Sequence, residues 1–233
     1  MIERGDTGEA TGALWWPSAN FGARRETEHP SLIVLHYTAM VSADVALERL
    51  CDPAWSVSAH YLIGRDGKLW QLVHESARAW HAGAGTWGPV RDVNSASLGI
   101  EIDNDGRSPF SEPAMTRLEA LIHELSARWN ISPSCVIGHS DCAPGRKVDP
   151  GPRFDWRRLE CRGLAARAQP GPDGGASLDQ LLNSAGYTAD APVSDRLSAF
   201  RLRHRRHATG PANAQDRVLL AGLAAIDGGN GAA

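Results

Sequence analysis

Lysine, cysteine and long apolar runs are all scarce in this chain of 233 residues, and the shortages narrow what it can be. The four cysteines, Cys51, Cys135, Cys142 and Cys161, are too few and too scattered for a disulfide scaffold, and none makes a C-x-x-C pair. They read as reduced, mostly buried thiols. No apolar stretch approaches the roughly 20 residues needed to span a bilayer. Met1 to Gly12 carries charges but no apolar leader core. Excess charge is missing too: 24 basic against 27 acidic residues leave a net charge of −3, which gives no footing for a nucleic-acid surface.

What is present is ordinary for a globular protein, with 42% hydrophobic and 22% charged residues. The length suits one medium domain, or one with a small companion. All eight tryptophans lie between Trp15 and Trp156 and the last cysteine is Cys161, so the final part of the chain differs in composition. Of the 24 basic residues two are lysines, Lys68 and Lys147, so a lysine inside a polar motif stands out.

Residues 31–37, Ser-Leu-Ile-Val-Leu-His-Tyr, form a β-branched apolar run that predicts a buried central strand ending at His36. A helix follows with Ser42 as N-cap and Asp52-Pro53 as its stop. Residues 58–64 and 67–73 alternate in polarity about Arg65-Asp66-Gly67, which predicts a hairpin. In 97–103, Leu98, Ile100 and Ile102 share one face of a strand, which turns Glu101 to the other. Apolar residues at helical spacing predict an amphipathic helix from Pro113 to Asn130, and 135–138 a short strand before His139. The fold class is therefore α/β, a mixed central sheet flanked by helices, with a small helical region at the C-terminal end. The expected division is a domain over 1–165 with its core at 14–160, a Pro/Gly-rich linker at 166–176, helical segments over 177–225, and a flexible tail at 226–233. The arginine-histidine run from Arg201 to His207 reads first as a solvated face, and otherwise as a surface for anionic groups.

The densest polar cluster is Gly138-His-Ser-Asp-Cys-Ala-Pro-Gly-Arg-Lys-Val-Asp-Pro-Gly151, a loop after a strand that holds His139, Lys147 and Asp149. With His36 it offers two imidazoles and a carboxylate, donors that suit Zn²⁺ with one position left open. Spacing alone leaves His60, His74, His81 and His123 in play as other ligands, His123 reading as exposed.

Five segments in order, Leu-His-Tyr-Thr, Ser-Ala-His-Tyr-Leu-Ile-Gly-Arg-Asp-Gly, Ala-Trp-His-Ala-Gly, Ser-Leu-Gly-Ile-Glu-Ile and the 138–151 loop, closely resemble the type 2, zinc-dependent family of N-acetylmuramoyl-L-alanine amidases. The likeness is nearest to the bacterial anhydromuramyl-peptide amidases and covers about residues 14–160. It implies zinc held by His36, His139 and Asp149, with Glu101 and Lys147 as catalytic residues. It also implies hydrolysis of the bond between N-acetylmuramic acid, or its 1,6-anhydro form, and L-alanine. Tyr37, His60, Trp80, His81 and Asn94 are the expected substrate contacts, and peptidoglycan or anhydromuropeptide the expected partner of a monomeric enzyme. The rival function is a non-catalytic peptidoglycan-recognition protein of the same fold. Residues 177–225 weakly resemble a three-helix peptidoglycan-binding module. The expected location is the cytoplasm, with the periplasm or outer membrane as the alternative if an export signal lies outside this sequence.

Overall fold

The structure, a computed structural model, describes residues 5–228. Along the chain run β1 (Ala13–Trp15), β2 (Phe21–Gly22), β3 (Leu32–Tyr37), α1 (Ala43–Cys51), β4 (Tyr61–Ile63), β5 (Leu69–Gln71), β6 (Arg78–Ala79), α2 (Val93–Ala96) and β7 (Ser97–Ile102). Then follow α3 (Glu112–Trp129), β8 (Val136–Gly138), α4 (His139–Cys142), α5 (Trp156–Cys161), α6 (Leu178–Ser184), α7 (Val193–His204) and α8 (Ala214–Gly228). Six strands make one sheet in the order β1-β5-β4-β7-β3-β8. It is mixed, because β4, β7, β3 and β8 are parallel while the hairpin sets β5 antiparallel to β4.

Strand alternation gives the sheet two different apolar faces. Ile33 and Leu35 of β3 join Leu98, Ile100 and Ile102 of β7 under α3, whose Met115, Leu118, Leu121, Ile122 and Leu125 pack down on them. Helix α3 is closed at its start by Ser111, whose hydroxyl accepts from the Ala114 N–H at 3.3 Å. On the opposite face Leu32, Val34 and Ile137 pack with Leu182, Tyr187, Leu197, Phe200 and Leu220. The C-terminal helices therefore share a core with the sheet.

Polar contacts reinforce that junction. The Tyr187 hydroxyl donates to Asp141 Oδ1 at 3.1 Å, and Arg203 donates to Asp141 Oδ2 at 3.3 Å. The guanidinium of Arg203 also lies 4.3 Å from the centre of the Trp156 ring. Asp141 is fully buried and Arg203 is 8% exposed, so Arg203→Met would leave a buried carboxylate without its cation. Such losses cost about 3–5 kcal/mol, which equilibrium urea unfolding would register; an unchanged unfolding free energy would show that the pair is dispensable.

Several expectations need correction. The Arg201–His207 run is not simply a solvated face, because Arg201 pairs with buried Asp216 and Arg203 with Asp141. Among the cysteines, all free, only Cys142 is buried, and Cys161 is exposed. The hairpin strands are shorter than their alternating segments. Helix α8 continues to Gly228, past the expected start of the tail, and residues 229–233 lie outside the described residues. The short β1, β2, β6, α4 and α5 went unread because they span six residues at most, too few to set up a period. Among the described residues no helix is long and apolar enough to cross a membrane.

Candidate active site

Three adjacent parallel strands deliver the functional side chains to one end of the sheet. The β3/β7 register sets His36 directly beside Glu101, and the β3/β8 register pairs Leu35 with Gly138, so His139 emerges next to them as the first residue of α4. This is the carboxyl end of the strands, where open α/β sheets present their ligand sites. The loop after α4 folds back over that edge, with the Ser140 N–H donating to the Asp149 carbonyl at 2.9 Å. It brings Lys147 and Asp149 over the histidines.

The donor atoms converge. His36 Nδ1 lies 2.9 Å and His139 Nδ1 3.0 Å from Asp149 Oδ2. One ligand atom from each of the three residues falls within 4.8 Å of the others, and both histidines are buried. Burial, with the neighbouring His139 second, lowers His36 to about 4, so at neutral pH this imidazole carries a free electron pair. Burial alone would raise the Asp149 carboxyl, but the two imidazoles on its Oδ2 outweigh that and hold it well below the usual range. Two imidazoles and an ionised carboxylate crowded around one point match the donors that zinc takes, and three of them leave room for a further ligand.

Glu101 supplies a second independent mark of a site. Its Oε2 is buried and has no hydrogen-bond partner among the described residues. Burial, and then the charge on Asp149, push its carboxyl up to about 8. A cation beside it would reverse that logic and favour the ionised form.

Around these groups lies a cleft of about 410 Å³ lined by His36, His139, Asp149, Glu101, Lys147, Tyr37, Trp80 and His81, among others. His60 and Asn94 do not line it. His60 is fully buried, its Nδ1 accepting from the Gly99 N–H at 3.0 Å and its Nε2 donating to the Ala77 carbonyl at 3.1 Å, so it is not free to meet a substrate. Asn94 is also buried, accepting backbone N–H groups of residues 81 and 82. Of the other histidines left open by spacing, His74 stacks on Trp15 at 4.3 Å and lies 3.5 Å from Glu9, and His123 is exposed on α3. Arg49 and Arg146 also line the cleft and were not singled out by sequence. Arg49 lies 3.5 Å over the Trp55 ring, and Arg146 donates to the carbonyls of Ala82 and Ala84. Nothing local in the sequence marks Arg49, whereas Arg146 stands in the 138–151 loop beside Lys147.

A pH test follows from the buried imidazole. Unfolded, His36 would protonate near the ordinary imidazole value of 6.5; in the folded, metal-free protein burial lowers it to about 4. Between these values the unfolded chain binds more protons, so stability falls as pH drops through that window. The thermal midpoint of the metal-free protein should decline from pH 6.5 toward pH 4. Buried His60, His81 and His204 act in the same direction and Glu101, raised to about 8, in the opposite one, so the His36 share is the part of the slope that His36→Asn removes; an unchanged slope in that variant would show that burial does not hold His36 neutral.

The model of the N-acetylmuramoyl-L-alanine amidase family matches residues 26–152, more than half of the chain and the whole of this cleft. The chain belongs to that family. The amidase is 34% identical over 227 residues to N-acetylmuramoyl-L-alanine amidase AmiD of Escherichia coli, covering 82% of this chain and 81% of that one. It is 33% identical over 160 residues to 1,6-anhydro-N-acetylmuramyl-L-alanine amidase AmpD of Enterobacter cloacae, covering 61% of this chain and 86% of AmpD. Among solved structures, AmiD from Escherichia coli with anhydro-N-acetylmuramic acid-L-Ala-D-gamma-Glu-L-Lys superposes with a TM-score of 0.75 at 30% identity, over 88% of this chain and 93% of AmiD. AmpDh3 from Pseudomonas aeruginosa with an anhydromuramic pentapeptide gives a TM-score of 0.76 at 28% identity, over 85% and 92%. The mixed sheet with flanking helices is thus the amidase fold.

Proposed function

We propose that this amidase uses zinc held by His36, His139 and Asp149 to hydrolyse the bond between the lactyl group of N-acetylmuramic acid, or its 1,6-anhydro form, and L-alanine, releasing the stem peptide. The observation that carries this reading is the convergence of those three ligand atoms beside the unpartnered carboxylate of Glu101 in one cleft. A zinc ion there would generate a nucleophile at neutral pH and polarise the scissile carbonyl. The chain's own groups do the rest. Glu101, fixed on β7 next to His36, takes the proton from the attacking water and passes it to the departing alanine nitrogen. Lys147, exposed on the loop that carries Asp149, places its ammonium in the same cleft to stabilise the oxyanion. Replacing Lys147 with methionine should therefore lower kcat by about 10²–10³-fold with KM little changed; the reverse pattern would make it a binding group. Tyr37 and Trp80 offer aromatic surface to the sugar or peptide.

We propose that the enzyme acts as a monomer. A recognition protein that had lost catalysis would not need the complete set of ligands and proton-handling groups. For α6–α8 we propose a supporting role in holding peptidoglycan. A groove of about 1020 Å³ between the end of α6, with the loop after it, and the sheet domain is lined by Trp87, Asn130, Ser132, Asn183 and Thr188, whose amides and hydroxyls suit a saccharide. The anhydromuropeptide amidases among the relatives, and the anhydro ligands in the related structures, support a soluble fragment as substrate. Rates on soluble 1,6-anhydromuropeptide and on intact sacculi test this. Faster release from the soluble substrate is expected and would support cytoplasmic recycling; equal rates would overturn that assignment in favour of a wall-facing enzyme.

A further inference from the structure

Both ligand imidazoles turn their second nitrogen toward the same two residues. His36 Nε2 lies 3.0 Å from His81 Nδ1, and His81 Nε2 lies 3.1 Å from the Ser97 hydroxyl oxygen. That hydroxyl is in turn 2.5 Å from the Val93 carbonyl. His139 Nε2 lies 3.0 Å from the Ala82 carbonyl, the residue after His81. Asn94 holds both peptide units, its Oδ1 accepting from the N–H of His81 at 3.0 Å and of Ala82 at 2.8 Å.

The direction of these hydrogen bonds follows from their ends. A backbone carbonyl can only accept. The Ser97 hydroxyl must therefore donate to Val93, which obliges its oxygen to accept from His81 Nε2–H. The 3.0 Å contact between His81 Nδ1 and His36 Nε2 holds one proton, and with Nε2–H of His81 committed to Ser97 the ring accepts at Nδ1 and His36 donates through Nε2–H. The Ala82 carbonyl imposes the same tautomer on His139. Each chain of bonds leaves an Nδ1 electron pair 2.9 or 3.0 Å from Asp149 Oδ2, and these acceptors can face one another only with a cation between them, in place of the Nδ1 protons that join them when no cation is there.

We propose that residues 81 and 82, held by Asn94, form a clamp that sets both ligand histidines as Nε2–H tautomers with Nδ1 turned to the metal. On this reading His81 and Asn94 are positioning residues for zinc. The proposal rests on the ligand assignment made above. The backbone has made room for the clamp: a Cβ on Gly99 of β7 would come within 2.4 Å of the His81 ring, so glycine is what lets the imidazole lie across the strand. Outer partners of metal-bound histidines fix ring orientation and tautomer, and their loss lowers metal affinity by about 10–100-fold.

Zinc affinity, measured by competition with a chromophoric chelator, separates the alternatives. His81→Leu removes the acceptor and should bind zinc about 10–100-fold more weakly than the wild type. His81→Asn puts an amide oxygen where Nδ1 stood and should recover most of that loss, which a purely space-filling role would not require. Wild-type affinity in His81→Leu, or equal loss in both variants, would overturn the clamp. If the leucine variant does not fold, Ser97→Ala carries the test, since it deletes a single oxygen. Weaker binding is expected there, and unchanged affinity would refute the relay. His139→Ala in the same assay reports on the ligand assignment itself. Zinc retained at full affinity in that variant would sink the metal site, whereas zinc lost there but kept in His81→Leu would sink only the clamp.

Discussion

The Glu101→Gln protein is expected to keep its zinc and to turn over muropeptide about 10²–10⁴-fold more slowly than the wild type. Glutamine has nearly the shape of glutamate but cannot take a proton from water. The side chain sits on β7 in register with His36, with Oε2 buried and unpartnered among the described residues, so the substitution changes proton chemistry and little else. Its effect on folding runs the other way. Burial pushes the Glu101 carboxyl up to about 8, which marks ionisation there as costly to the fold, so the variant should be at least as stable as the parent. Slow turnover with an undiminished thermal midpoint and full zinc by elemental analysis is the expected signature. A wild-type rate would remove Glu101 from the role of base.

His36→Ala is expected to abolish stoichiometric zinc, and with it measurable hydrolysis. It deletes one of three donors, breaks the contact with Asp149 and strands the ring nitrogen of His81. The loss of affinity should exceed the 10–100-fold typical of outer partners, because a ligand itself is gone. Dialysis against a weak chelator followed by elemental analysis gives the readout. Full retention of zinc would exclude His36 from the ligand set.

Much of this was legible in the sequence, for identifiable reasons. The run 31–37 is apolar because both faces of β3 are covered, and the buried His36, one residue before the strand ends at Tyr37, stands where β3 reaches the cleft. Alternation along 97–103 turned Glu101 away from α3, the face on which β3 also presents His36. Spacing could not rank the histidines. His60 and His81 both follow motif residues, yet one is locked to the backbone of Gly99 and the other lies at the cleft. That difference depends on tertiary hydrogen bonds between strands far apart in sequence. Asn94 was expected at the substrate from the family resemblance, but its carboxamide oxygen is committed to the backbone N–H groups of residues 81 and 82. The charged run after Arg201 misled for a similar reason: its acidic partners, Asp141 and Asp216, come from other elements.

The attachment of Asp141 to Tyr187 and Arg203 has a consequence for biosynthesis. Asp141 stands two positions after His139, and its buried partners follow it by 46 and 62 residues. During translation the loop that carries His139 and Asp149 therefore leaves the ribosome well before the groups that anchor it. We expect nascent chains ending before α7 to take up zinc poorly, which metal content of stalled or truncated chains would show. Metal loading would then be a late step, completed only when the segment from Tyr187 through α7 has closed against the sheet.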